Sequence, residues 1–251
     1  MSSRANSYEH EPLPATHAQP PAERYLPQLT MQACALAKQS VAHAIDGLIN
    51  GSLASLQGVR TCEEKLDDLD RELDEQMAET ITRVTPAQAR ELLACLKLMI
   101  DLERVGDLVA SFAERSAIVR NRIEMEDVEQ LTRMACLLEN MLVQMAQAFE
   151  QRNVDQALHV LRSDAEIDRL RNLMLVRHTE HHERLRAGQE SLHVLSMANA
   201  LERAGDHVKN MAEELCHLVT GRTIRHLLRS KDKPVEQLFL DYLARREGAQ
   251  K

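Results

Sequence analysis

The sequence predicts an all-α protein: two tandem three-helix bundles related by internal duplication, six long helices in all, followed by a short C-terminal helix. Three observations lead there. Aromatic residues make up only 2% of the chain and Trp is absent, while Leu, Ala, Met, Glu and Arg dominate; such side chains lose little rotamer freedom in a helix. Five of the seven prolines fall within the first 27 residues, so 28–85 and 87–233 are free of the residue that breaks helices. Finally, Leu102-Glu103-Arg104-Val105-Gly106-Asp107 returns as Leu201-Glu202-Arg203-Ala204-Gly205-Asp206, with five of six positions identical.

Residues 1–27, rich in proline and charge, read as a flexible extension. The first helix is expected from about Leu29 to Ile49, with Leu29, Ala33, Leu36, Val41, Ala44 and Leu48 on one stripe. Asn50-Gly51-Ser52 ends it, and Ser52 suits the N-cap of the second helix. That helix carries Leu56, Val59, Cys62, Leu66, Leu69, Leu73 and Met77. At about 30 residues it would span roughly 45 Å. Thr85-Pro86-Ala87-Gln88 has the pattern of a capping box with proline at the first helical position. It opens a third helix whose seam is Leu98, Leu102, Val105, Val109 and Phe112.

The fourth helix shows Val128, Leu131, Leu138, Met141, Met145 and Phe149. Asn153 caps a fifth that is expected to end at Ala187-Gly188, and a sixth runs to Thr220-Gly221, with the glycine just past the last turn. Short connections make sequential neighbours antiparallel. The first repeat then covers 28–121, the second 122–228, and 229–251 forms a C-terminal tail. In that tail Val235, Leu238, Phe239, Tyr242 and Leu243 make an apolar face that must be buried on the bundle or on a partner.

A second pair of segments shares the register of the first. Glu63-Glu64-Lys65-Leu66-Asp67-Asp68-Leu69 parallels Asp164-Ala165-Glu166-Ile167-Asp168-Arg169-Leu170 at an offset of 101 (164 − 63), close to the 99 (202 − 103) between the other two. Two motifs repeated in register mark a duplication. Each half carries two acidic pairs one helical turn apart: Glu63/Asp67 with Glu103/Asp107, and Asp164/Asp168 with Glu202/Asp206.

Like charges at that spacing repel, and Gly106 and Gly205 each cost a helix about 1 kcal/mol relative to Ala. Penalties present in both halves imply a compensating gain, since glycine lets another backbone or a ligand approach that face. The stripe of Glu103 and Asp107 continues Leu96 and Ile100, and that of Asp164 and Asp168 continues Ala157 and Leu161. The carboxylates are therefore expected to point half inward. Four such groups on two adjacent helices cannot all stay ionised without cations. Arg104 and Arg203 are candidates for part of that charge. A hard metal with oxygen ligands is the other solution, which favours magnesium, manganese or iron over a structural zinc. One acidic pair alone is more often a solvated face laced with salt bridges; the repeated set with its glycines points to a metal or functional site.

These segments resemble the PhoU family. DLERVGD (101–107) and LERAGDHVKNMAEELCHLVTG (201–221) are similar to its two signature segments, and EEKLDDL, DAEIDRL, the Asn50-Gly51 turn and GRTIRH (221–226) follow its pattern. The likeness runs over about 29–228. It implies tandem three-helix bundles, a homodimer, and metal clusters held at Glu63, Asp67, Glu103, Asp107, Asp164, Asp168, Glu202 and Asp206, with divalent or ferric ions (Fe, Mn, Mg or Zn). Asp101 belongs to the first signature, where the second has Asn199 and Ala200; Gln88 stands where the family usually has an aspartate. The function implied is negative regulation of phosphate uptake and of the phosphate-starvation response. The chain would be an adaptor between the ATPase subunit of a phosphate ABC transporter and a sensor histidine kinase. A competing class is a metal-dependent enzyme or metal store using the same carboxylates. No nucleophile–base arrangement or phosphate-cradling glycine loop is visible, and no catalysis is expected.

Histidines offer a rival metal site. His178, His181 and His182 cluster near the end of the fifth helix, and Glu190/His193 and Glu214/His217 each form an E-x-x-H. A ferritin-like di-iron centre needs such motifs on two facing helices, whereas both lie on the sixth. The cluster therefore reads as a polar helix end and the others as seam-edge residues. Five cysteines without a CxxC, each among apolar residues, read as small core residues in a reducing compartment. A net charge of −8 without a basic stretch argues against nucleic-acid binding. Residues 1–27 lack the apolar segment of a signal peptide, and no run reaches the about 20 apolar residues a membrane span needs. A cytoplasmic protein without direct membrane insertion is expected.

Overall fold

The computed structural model describes residues 22–119, 122–180 and 189–221. Helices α1 (Ala22–Asn50), α2 (Leu53–Thr80) and α3 (Pro86–Val119) form one bundle, and α4 (Met125–Gln151), α5 (Val154–Glu180) and α6 (Gln189–Thr220) form a second. The tandem three-helix plan expected from the duplication is the plan of the molecule. The predicted helix C-terminus at Ala187-Gly188, residues 1–21 and the C-terminal amphipathic segment lie outside the described residues.

The local signals act as their chemistry dictates. Gly51 takes a φ of 61° in the α1–α2 turn, a region an L side chain rarely adopts. Ser52 caps α2 by accepting the Ser55 N–H at 3.1 Å. Thr85 and Gln88 form a reciprocal box: the Thr85 N–H donates to Gln88 Oε1 at 2.9 Å and the Gln88 N–H to Thr85 Oγ1 at 3.4 Å. Asn153 caps α5 through the Gln156 N–H at 3.2 Å. Gly221, with φ 70°, returns its N–H to the His217 carbonyl at 2.8 Å.

One boundary differs. The first helix begins at Ala22, about two turns before Leu29, with Pro27 inside it. A proline this close to a helix N-terminus forfeits few intrahelical bonds. Tertiary contacts hold the extra turns down: Leu26 is fully buried, and the Tyr25 hydroxyl donates to Glu72 on α2.

The duplication is expressed as a near-twofold arrangement. Equivalent helices meet, α3 on α6 and α1 on α4, while α2 lies against α1 and α3, and α5 against α4 and α6. All the stripe residues named for α3 are buried, as are Leu131, Leu138, Met141, Met145 and Phe149 of α4. One continuous apolar core runs through both bundles, from Leu26 to Cys216. Burial of these stripes, worth about 25 cal/mol per Å² of apolar surface, is the main term holding the helices together. Polar ties cross the joint between repeats: His207 Nδ1 lies 2.8 Å from Asp101 Oδ1, and Lys97 Nζ donates to Glu214 Oε1 at 2.9 Å. Asp101 thus has a task that its counterpart Ala200 cannot share. No described helix is long and apolar enough to cross a membrane.

Candidate functional site

The α2–α3 groove brings the first set of carboxylates together. Glu63 and Asp67 come from α2, Glu103 and Asp107 from α3. Glu63 and Glu103 are half-buried and Asp67 is exposed. Burial pushes the Glu63 carboxyl above its usual range, and the charges of Asp107 and Asp67 push the same way. Glu103 is raised by burial, then by Asp107, Asp70 and Asp67, against an opposing pull from Arg104. Arg104 reaches Glu103 at 3.3 Å and Asp107 at 3.2 Å from an exposed position.

Asp70 is a member that sequence reasoning missed. It lies seven residues after Glu63 on the same face of α2, and burial, then Asp74 and Asp67, raise its carboxyl. That heptad spacing was the available signal. Repeat matching hid it, because the equivalent position 101 residues on (171 − 70) is Arg171.

The α5–α6 groove holds the second set, Asp164 and Asp168 with Glu202 and Asp206. Asp164 is 3% exposed, Asp168 and Glu202 are half-buried, and Asp206 is exposed. Burial raises Glu202, with Asp206, Asp168 and Asp164 adding to it and Arg171 opposing. A cation absent from the sequence reading stands among them. Lys209 Nζ donates to Asp164 Oδ2 at 2.5 Å and lies 3.6 Å from Asp206 Oδ1. Burial still holds the Asp164 carboxyl above its usual range, in spite of that bond. Burial would lower Lys209, but its bond to Asp164 and the surrounding carboxylates keep it above the ordinary lysine value. The second oxygen of Asp164, Oδ1, is buried without a hydrogen-bond partner.

Among the described residues, no three carboxylates of either set stand around a common point at ligand distance, so a metal would have to draw them in by side-chain rotation. The donors themselves are all oxygen, which fits a hard divalent or ferric ion. In the first set five carboxylates face two exposed arginines, Arg104 and Arg60, leaving negative charge for a cation to neutralise.

Gly106 and Gly205 serve a different end from the expected approach of a backbone or ligand. They admit a side chain of the neighbouring helix. A Cβ at Gly106 would stand 2.7 Å from Leu66 Cδ1, and one at Gly205 3.3 Å from Ile167 Cδ1 and 3.5 Å from Asp164 Oδ1. Leu66 and Ile167 are equivalents in the duplication and both are buried. The gain that offsets a mid-helix glycine is close packing of α2 on α3 and of α5 on α6.

His178 was expected at a polar helix end and is instead 7% exposed. Its Nε2 lies 3.0 Å from Asp127 Oδ1 on α4 and its Nδ1 3.1 Å from Ser191 Oγ on α6. Arg177 beside it pairs with Glu124, Glu126 and Asp127. A solvated reading fails because position 178 faces the joint of three helices. His181 and His182 lie outside the described residues. Both E-x-x-H motifs fall on α6, as expected. Cys34, Cys62, Cys95 and Cys216 are buried as predicted, and burial pushes the thiols of Cys34 and Cys216 up to about 12 and of Cys95 to about 11. Cys136 is exposed, contrary to the core expectation. Its apolar neighbours Ala135 and Leu137 sit on either side of it in sequence, and the helix turns them, not Cys136, toward the core.

A duplicated three-helix bundle with one acidic cluster in each outer groove defines a class of paired, carboxylate-bearing helical proteins. The PhoU domain pattern matches residues 30–116 and 131–215, once per repeat, and encloses both clusters. The chain belongs to the PhoU family. It is 28% identical over 212 residues to the phosphate-specific transport system accessory protein PhoU homolog 1 of Thermotoga maritima, covering 80% of this chain and 88% of that protein. The PhoU homolog of Rhizobium meliloti, named likewise as an accessory protein, is 31% identical over 202 residues, with coverages of 79% and 85%. The crystal structure of PhoU from Pseudomonas aeruginosa superposes with a TM-score of 0.75 at 25% identity, covering 80% of this chain and 98% of that one. A Streptococcus pneumoniae PhoU shares the fold, with a TM-score of 0.74 at 20% identity over 80% of this chain and 96% of the other.

Proposed function

We propose that the chain is a negative regulator of phosphate uptake and of the phosphate-starvation response. It acts as a cytoplasmic adaptor between the ATPase subunit of a phosphate ABC transporter and its sensor histidine kinase. The observation that carries this is the pair of PhoU domain matches, supported by relatives named as accessory proteins of a phosphate-specific transport system. The architecture suits such a role. Long regular helices with short connections give two similar, charged, elongated faces for protein contact, and a homodimer would double them and add avidity. In this proposal the first-repeat carboxylates Glu63, Asp67, Asp70, Glu103 and Asp107 hold a divalent or ferric ion, with oxygen donors favouring magnesium, manganese or iron.

Deleting the gene should raise phosphate-starvation transcripts in phosphate-replete cells, and tagged protein should capture the transporter ATPase and the kinase from lysate. Normal repression in the deletion strain would overturn the regulatory role. Purified protein should turn over no phosphoester. Metal measured on the purified protein should fall in Asp107→Asn.

A further inference from the structure

The two repeats share a fold and a motif, yet their acidic clusters carry different charge. Two positions make the difference. Where the first repeat has Asp70, the second has Arg171 at the offset of 101 (171 − 70); where the first has Ala110, the second has Lys209 at the offset of 99 (209 − 110). Five carboxylates thus face only exposed arginines in the first groove, Arg104 at Glu103 and Asp107 and Arg60 toward Glu63. Four face Lys209 and Arg171 in the second.

Lys209 is built into its cluster. It rises from α6 one turn after Asp206, is half-buried, and places its ammonium 2.5 Å from Asp164 and 3.6 Å from Asp206. Asp164 is the most buried carboxylate of either set, at 3% exposed, and its Oδ1 points to no donor. Such a group is expensive to leave unpaired, so the groove needs a cation at Asp164 and the chain supplies one. Arg171 stands beside it, its Nε donating to Asn199 Oδ1 at 2.9 Å, and opposes the charge around Glu202. At the first groove Ala110 provides no cation, and Arg104 comes in from the solvent side.

We propose that Lys209 is an internal counter-cation that takes the place of a metal ion in the second acidic cluster, so that the two repeats bind metal unequally. The inference deepens the metal proposal above and rests on it for the first repeat only. A divalent ion entering the second groove must displace a half-buried ammonium held by Asp164 and Asp206, whereas one entering the first meets only the solvent-exposed guanidinium of Arg104 at Glu103 and Asp107.

Equilibrium dialysis of full-length protein against Mn²⁺, with bound ion counted by elemental analysis, tests it. Wild type should hold one Mn²⁺ per chain, Lys209→Met two, and Lys209→Arg, which keeps the charge, one. A Lys209→Met protein that binds the wild-type number overturns the inference, whatever that number is, and so does a second equivalent in Lys209→Arg. The wild-type count separately tests the first repeat: zero in wild type with one in Lys209→Met removes the first-repeat metal proposal and leaves Lys209's role standing. Because Lys209→Met leaves Asp164 buried without its cation, it should melt below wild type in chelator and recover when Mn²⁺ is added. A variant that stays unfolded in Mn²⁺ also overturns the inference.

Discussion

Gly106 and Gly205 are identical in sequence context and unequal in space, which makes them a measure of how tightly each repeat is packed. A methyl group at position 106 would meet Leu66 at 2.7 Å, inside any real carbon contact, and at 205 would meet Ile167 at 3.3 Å. Alanine adds about 1 kcal/mol of helix propensity at either site, while overpacking a tight core costs about 1–3 kcal/mol. Gly106→Ala is therefore expected to lower stability by about 1 kcal/mol, and Gly205→Ala to be near neutral. Urea midpoints of the two variants at unchanged slope would check this. Equal effects would mean that the helices yield alike in both grooves.

Among the elements, α5 is bound to its neighbours by a buried polar knot as well as by its apolar stripe. His178 on α5 links Asp127 on α4 to Ser191 on α6, and Asp127 is almost wholly buried. Removing a buried acceptor leaves its donors desolvated and unpaired, at about 2–3 kcal/mol. Asp127→Ala is expected to destabilise by that order. The more open bridge between repeats, Asp101 to His207, should yield less, about 1 kcal/mol for Asp101→Ala. Denaturant unfolding of both variants ranks them; an Asp127→Ala chain as stable as wild type would mean that water replaces the carboxylate.

At the scale of the whole molecule the clusters make stability depend on pH. Glu63, Asp70, Glu103 and Glu202 have carboxyls raised by burial first and by neighbouring carboxylates after it, and burial raises Asp164 against the opposing pull of Lys209. A carboxyl raised in the folded state binds its proton more tightly there than in the unfolded chain, so stability falls as pH rises through the folded value. Metal-free protein should therefore melt at a higher temperature at about pH 5.5 than at about pH 7.5. The gain ends near the unfolded carboxylate values. Below those, Asp46 and Glu166, held low first by hydrogen bonds from Ser55 and Arg169, lose their contribution. Combining Glu63→Gln with Glu103→Gln should flatten the profile, as should Mn²⁺ at neutral pH. A profile unchanged by both would assign the pH dependence to other groups.

The sequence by itself determined the helices, their caps and the duplication. Those are local or periodic properties: Ser52, Thr85, Gln88 and Asn153 act within one turn of their own position, and a 3.6-residue stripe needs no partner to be read. It also marked eight of the nine clustered carboxylates, because repetition makes them visible. Tertiary structure alone decided the rest. Asp70 adds its charge to Glu103 across the groove, which its heptad spacing from Glu63 signals without settling, and Lys209 fills the other cluster through a contact between helices. His178 and Leu26 turn out to be buried because of what packs over them. The glycines receive Leu66 and Ile167 in place of a ligand for the same reason. Side-chain charge and size are written in the chain; which charge meets which, and across which groove, is fixed only when the helices close on one core.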